Sequence, residues 1–188
     1  MYKVAQKDVL LIHSAGNEFY NLDTKKVYPN TYSPSYKDTA KNVITVGASI
    51  DPSLNNVLLT DFSNYGAKTV DVLSPGNKIY STLPGKNNYG YLQGTSMSSP
   101  IVSHMAAMIR SYFPKLSALQ VKEIILNSVW KPLDGNIKYF IPNRDKDKSL
   151  IEVCTTGGIV NAANAIALAK TIKISTPQNN DKKKKTKN

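Results

Sequence analysis

A serine placed just ahead of an amphipathic stretch is the first residue in this chain that invites a chemical reading. Ser96 follows Gly94 and Thr95, and beyond Met97 apolar residues recur at Ile101, Met105, Met108, Ile109 and Tyr112, one stripe on a helix. In one reading Ser96 simply caps that helix. In the other it is a nucleophile. At a helix N-terminus its backbone N–H is free and the helix dipole favours negative charge, so an oxyanion formed by attack of its hydroxyl would sit beside that N–H. Asn17, in Ser14-Ala15-Gly16-Asn17, has the same two sides. Gly-Asn after a strand makes an ordinary turn, yet a side-chain amide can donate the second hydrogen bond of an oxyanion hole.

Such groups need rigid elements behind them. Val9 to Ile12 is a short apolar run closed by the turn that carries Asn17, and Val43 to Ala48 is a second run of the kind found in buried parallel strands. Leu58-Leu59, Val70 to Leu73 and Ile79 to Thr82 are shorter strand candidates, whereas Asn21 to Lys41 reads as loop. The helix that follows Ser96 is expected to begin near Met97, with Pro100 in its first turn and Pro114 helping to end it. Ser117 and Gln120 form a capping box for the next helix, flanked by Leu116 and Val121 as a hydrophobic staple, with Val121, Ile124, Ile125 and Val129 as its buried face. Trp130 to Ile151 is irregular and polar, a surface excursion, and Asn161 introduces a last helix from Ala162 to about Lys170. Strands followed by helices indicate an α/β domain with a mostly parallel sheet.

Composition narrows the function classes. The 188 residues are 41% hydrophobic and 20% charged, an ordinary globular mixture that can fill one core. No run of about 18 apolar residues exists to span a membrane, and Met1 to Lys7 lacks the pattern of a signal peptide. The single cysteine, Cys154, rules out an internal disulfide, and the two histidines, His13 and His104, have no ligand cluster around them, so no metal site is expected. The net charge of +11 is fed by the run Asp-Lys-Lys-Lys-Lys-Thr-Lys-Asn at the C-terminus. We take residues 172–188 as a solvated, disordered tail. Without interleaved aromatics or arginines it makes a poor base-stacking surface, and specific nucleic-acid binding is not expected.

Several segments together carry a family resemblance. Gly94-Thr95-Ser96-Met97-Ser98-Ser99-Pro100 resembles the nucleophile signature of the subtilisin-like serine proteases, and Ser14-Ala15-Gly16-Asn17-Glu18 resembles their oxyanion segment. Phe62-Ser63-Asn64-Tyr65-Gly66, Val70 to Gly76 and Ile79 to Gly85 look like segments between those two, and Gly158 to Ala162 is similar to the closing helix. The resemblance implies a subtilisin-like parallel sheet flanked by helices over residues 1–171, with the N-terminal strands missing. It also implies a serine endopeptidase working through an acyl-enzyme on polypeptide substrates. Ser96 would be the nucleophile, with Asn17 and the Ser96 N–H as oxyanion donors. Ala15, Gly16 and Glu18 would border the primary specificity pocket, Gly94 and Thr95 would lie at the substrate site, and Met97 would pack beside the nucleophile. No cofactor is implied; calcium is common in the family, but no ligand set here is specific enough to name. Export is likewise a family expectation.

Subtilases carry an aspartate, then a histidine, then the serine in chain order. Only sixteen residues precede Asn17, and they contain neither an Asp-Thr-Gly nor a His-Gly-Thr-His pattern. The chain is therefore expected to be a C-terminal half whose partner is the missing N-terminal half; the alternative is an inactive remnant that binds peptides or proteins. His104 lies eight residues past Ser96 on the same helix, about 12 Å along its axis, where the family usually has glycine. General-base contact needs about 3 Å. His13 precedes Asn17 on a strand whose direction leaves its reach open.

Overall fold

The computed structural model describes residues 4, 7–33, 38–51, 58–132 and 149–172. The expected tail beyond residue 172 and most of the excursion between Trp130 and Ile151 lie outside the described residues. In chain order the strands are β1 (Leu11–Ser14), β2 (Tyr32–Ser33), β3 (Asp38–Thr39), β4 (Val43–Ser49), β5 (Val72–Pro75), β6 (Ile79–Thr82) and β7 (Tyr89–Leu92). The helices are α1 (Thr95–Tyr112), α2 (Ala118–Asn127) and α3 (Ala162–Thr171), with a 3-10 turn at Leu150–Glu152.

Every residue of β4 is buried, because both faces of this central strand are covered. It pairs in parallel with β1, placing Leu11 opposite Val43 and Ser14 opposite Val46, and in parallel with β5, placing Val46 opposite Val72. The sheet order is β1-β4-β5, so among the described residues β1 has a partner on one side only. Ile44, Val46 and Val72 face the helices and meet Val102, Met105 and Ile109 of α1, Val121, Ile124 and Ile125 of α2, and Ala165 and Ala169 of α3. Each large side chain so buried contributes about 1.5–3 kcal/mol. The other face carries Leu73 and packs on Leu58, Leu59, Tyr65, Val70, Val153, Cys154 and Ile159. Cys154 is fully buried there, with Sγ 3.8 Å from Thr156 Oγ1 and 3.9 Å from the Gly158 carbonyl.

The helix starts follow the chemistry of their caps. Ser117 Oγ accepts from the Gln120 N–H at 3.2 Å while Gln120 Oε1 accepts from the Ser117 N–H at 2.9 Å, the expected capping box. Asp8 adds to it: Oδ1 accepts from the Ala118 N–H at 2.6 Å and Oδ2 from Arg110 at 2.8 Å. The Ala118 N–H, then Arg110, hold the Asp8 carboxyl below its usual value. Asn161 caps α3 through the Asn164 N–H at 2.9 Å.

α1 departs from expectation at its start. It begins at Thr95 rather than near Met97, with Gly94 at the N-cap and no side-chain cap of its own. Ser96 is therefore inside the first turn and not the cap. Pro100 is consequently past the first turn, where its missing N–H leaves the Ser96 carbonyl without the usual i−4 donor. Two further differences are additions. β7 pairs antiparallel with β6 in a hairpin, Tyr80 opposite Tyr91. Inside the segment read as loop, β2 and β3 form a minimal antiparallel pair.

Candidate active site

The parallel strands deliver their C-terminal ends to one edge of the sheet, the edge at which ligands of open α/β sheets bind. β1 runs out into Ala15-Gly16-Asn17. β5 runs into Gly76, whose N–H donates to the Ser49 carbonyl at 3.0 Å and whose carbonyl accepts from the Gly94 N–H at 2.8 Å. The start of α1 is thereby tied to the ends of both β4 and β5. Ser98, in the same first turns, donates its hydroxyl to the Ser74 carbonyl at 3.0 Å.

Asn17 supplies what α1 lacks locally. Its Oδ1 accepts from the Thr95 N–H at 2.9 Å and from the Thr95 hydroxyl at 3.0 Å, and Thr95 Oγ1 accepts in turn from the Gly16 N–H at 3.1 Å. A backbone N–H can only donate, so the bond to Thr95 fixes which end of the Asn17 amide is oxygen and turns Nδ2 the other way. In the first turn of α1 the Thr95 N–H is held by Asn17 and the Met97 N–H donates to the Gly94 carbonyl at 3.0 Å. The Ser96 N–H is left without a partner among the described residues.

Gly94 keeps the space between the two free donors open. A Cβ built on it would stand 3.4 Å from Asn17 Nδ2 and 3.8 Å from the Ser96 nitrogen, and its φ of +143° disfavours any side chain. The Asn17 amide oxygen lies 3.7 Å from the same point. Ser96 and Asn17 are exposed, whereas Gly94 and Thr95 are buried. Thr95, expected at the substrate site, bonds through its hydroxyl to Asn17 and Gly16.

Ala15, Gly16 and Glu18 line a pocket of about 920 Å³, with Val27, Tyr28 and Pro29 among the residues on its other walls. On the other side of β1, an open groove is lined by Ile12, His13, Ser14, Ser96, Pro100 and His104. Sequence reasoning missed how the oxyanion segment is held from behind by buried Asn64, because no local pattern marks that contact.

The two histidines stand differently toward Ser96, His13 lining the same groove and His104 lying farther along α1. His104 is exposed on α1, two helical turns along. His13 uses both ring nitrogens: Nδ1 lies 3.0 Å from the Ser14 carbonyl and Nε2 3.0 Å from Thr45 Oγ1. The carbonyl can only accept, so Nδ1 carries a proton, while the bond between Nε2 and the threonine hydroxyl can run in either direction. Burial holds its pKa below the usual 6.5, against smaller raising effects of the Ser14 carbonyl and Asp71. Asp71 sits behind it, with Oδ2 accepting from the Thr45 N–H at 2.7 Å and Oδ1 3.2 Å from Lys122 Nζ. Among the described residues no group of three or more His, Cys, Asp or Glu side chains converges as a metal site, so no ligands are assigned to calcium.

A pH dependence follows from His13. Its folded pKa is lowered, so the unfolded chain binds the extra proton first. Its contribution to stability is complete above 6.5 and declines as pH falls through that value. His13→Gln should therefore flatten the loss of stability between about pH 7.5 and about pH 5.5, read by urea unfolding at each pH. An unchanged slope would show that His13 is not held neutral.

Comparisons with known proteins identify a family and a fold. The sequence model of the subtilase family matches residues 1–176. Subtilisin-like protease 3 of Plasmodium falciparum (isolate 3D7) is 31% identical over 150 residues, covering 73% of this chain and 19% of that protein. Subtilisin DY of Bacillus licheniformis is 37% identical over 121 residues, covering 64% of this chain and 39% of that protein. A chain from the structure of the subtilase cytotoxin SubAB assembly superposes with a TM-score of 0.66 at 24% identity, over 89% of this chain and 51% of that one, a likeness of fold. The chain thus spans well under half of these two relatives and about half of the solved structure.

Proposed function

The chain belongs to the subtilase family, and from that premise we propose that it forms the nucleophile and oxyanion half of a serine endopeptidase. Ser96 Oγ attacks the scissile carbonyl, and Asn17 Nδ2 and the Ser96 N–H receive the charge that develops on its oxygen. The amine leaves and water hydrolyses the acyl-enzyme. The observation that supports this best is that Asn17 Nδ2 and the Ser96 N–H, neither with a partner among the described residues, both lie beside Gly94. Ala15, Gly16 and Glu18 would bound the pocket for the substrate side chain on the acyl side.

The proton of Ser96 needs an acceptor, and His13 and His104 are engaged or distant. We assign the general base to polypeptide outside the described residues, entering along the groove between the free edge of β1 and α1. An unpaired strand edge is a template for another strand, and Ser96 lies on that groove's wall. The lack of a base among the described residues also favours a second reading, a non-catalytic module that holds peptides in the same cleft.

Fluorophosphonate labelling of the purified protein beside Ser96→Ala separates the two. Labelling that the substitution removes supports the endopeptidase. A protein that is folded by circular dichroism yet unlabelled acts on no substrate by itself, and heats of peptide binding by calorimetry would then support the second reading.

A further inference from the structure

We propose that Asn64 is a positioning residue for the oxyanion donors, a role that rests on the reading of Ser96 and Asn17 above. Asn64 is fully buried. Its Nδ2 donates to the Ala15 carbonyl and to Glu18 Oε2, both at 2.8 Å. Its Oδ1 accepts from the Tyr20 N–H at 2.7 Å and the Glu18 N–H at 3.2 Å, and its backbone N–H donates to the Gly16 carbonyl at 3.0 Å. A carboxamide has two donor hydrogens and two acceptor lone pairs. All four are spent on residues flanking Asn17 on both sides, and none on Asn17 itself.

That distribution is what a clamp requires. Asn17 is exposed, and its side-chain bonds run forward to Thr95. Among the described residues its backbone makes no hydrogen bond of its own to another segment, and a fully satisfied buried polar group holds such a segment to one geometry. Gly16 lets the clamp close: a Cβ there would lie 2.4 Å from Asn64 Nδ2, and its φ is +102°. No other side chain reproduces the set. Aspartate has no donor and would face the Glu18 carboxylate, and serine is too short to reach four partners.

Amide hydrogen exchange tests the role on the chain as it stands, without relying on catalysis. The informative amides are Gly16 and Thr95, whose N–H groups donate within the oxyanion network and not to the Asn64 side chain. In Asn64→Ala their exchange should rise tenfold or more while the β4 amides stay protected. Val121→Ala, a core truncation on the opposite face of the sheet, supplies the control for general loosening, in which all amides rise together. Acceleration confined to Glu18 and Tyr20, whose own acceptor is removed, would overturn the proposal. So would a rise at Gly16 and Thr95 matched in β4. Should Asn64→Ala fail to fold, Asn64→Asp keeps the acceptors for Glu18 and Tyr20 and is judged by the same pair of amides. In protein that labels at Ser96, Asn64→Ala should also slow labelling tenfold or more. If the wild-type protein by itself does not label, the exchange result still decides whether Asn64 holds Asn17 and Thr95 in place.

Discussion

Asn17→Asp in the proteolytically competent protein should leave the fold intact and lower turnover by at least ~10²–10³, with KM little changed. The substitution separates the two ends of one side chain. The oxygen that accepts from the Thr95 N–H and hydroxyl is retained, so the buried start of α1 keeps its cap. Only the Nδ2 donor is lost, and a carboxylate oxygen now faces the space in which negative charge must develop. The quoted magnitude is that for removing one oxyanion donor from subtilisin itself; it is not a consequence of distances in this chain. Asn17→Ala is the contrasting variant. It removes donor and acceptor together and leaves the Thr95 N–H, in a residue with no exposed surface, without a partner. That adds about 1–3 kcal/mol of lost stability. Acylation rates and thermal unfolding of the two variants give the comparison. If Asn17→Asp acylates at the wild-type rate, Nδ2 is not an oxyanion donor.

Gly76→Ala should destabilise the protein by about 3 kcal/mol, near the upper end of ordinary overpacking, and should slow reaction at Ser96 as well. Its Cβ would lie 2.3 Å from Ser98 Oγ, 2.6 Å from Ala48 Cβ and 3.0 Å from the Gly94 carbonyl oxygen. Two of those three groups belong to the first turns of α1 or its cap, and the third to the central strand. None is the loose end of a long side chain. Relief must come from moving helix and sheet apart, which displaces Ser96 relative to Asn17. Gly90→Ala in the exposed hairpin is the control, since its new methyl would meet chiefly the flexible end of Leu83 at 2.8 Å, and it should be close to neutral. Urea unfolding of both variants measures the difference. Equal stabilities would mean that α1 does not dock on β4 and β5 through Gly76.

The contrast between these residues shows where sequence reading reaches. The capping box of Ser117 and Gln120 and the cap at Asn161 were legible because every partner lies within four residues. The buried run of β4 was legible because Val43 to Ala48 is an unbroken run of β-branched and small residues without a charge. The start of α1 was displaced by two residues because its cap is Asn17, remote in sequence, and no local pattern announces a cap supplied from another segment. β7 was missed because Gly90 interrupts the apolar pattern of an exposed hairpin strand. The likeness of the Ser96 and Asn17 segments to subtilases is what nominates them as nucleophile and donor. The approach of Asn17 and Ser96 to Gly94, the inward bonds of Thr95 and the partners of His13 depend on how distant segments meet, and only the folded arrangement displays them.

Cys154 offers a use quite apart from catalysis. It is the sole cysteine of the chain, sealed in the second core cluster, where burial pushes its thiol pKa up. Thiolate is the form that reacts, so a dissolved thiol reagent must wait until that part of the molecule opens. The pace of its modification then counts openings, as a clock counts ticks. A polypeptide spanning about half of a solved subtilase-fold chain thus carries an internal timer of how long it holds together, readable whether or not Ser96 ever cleaves a bond.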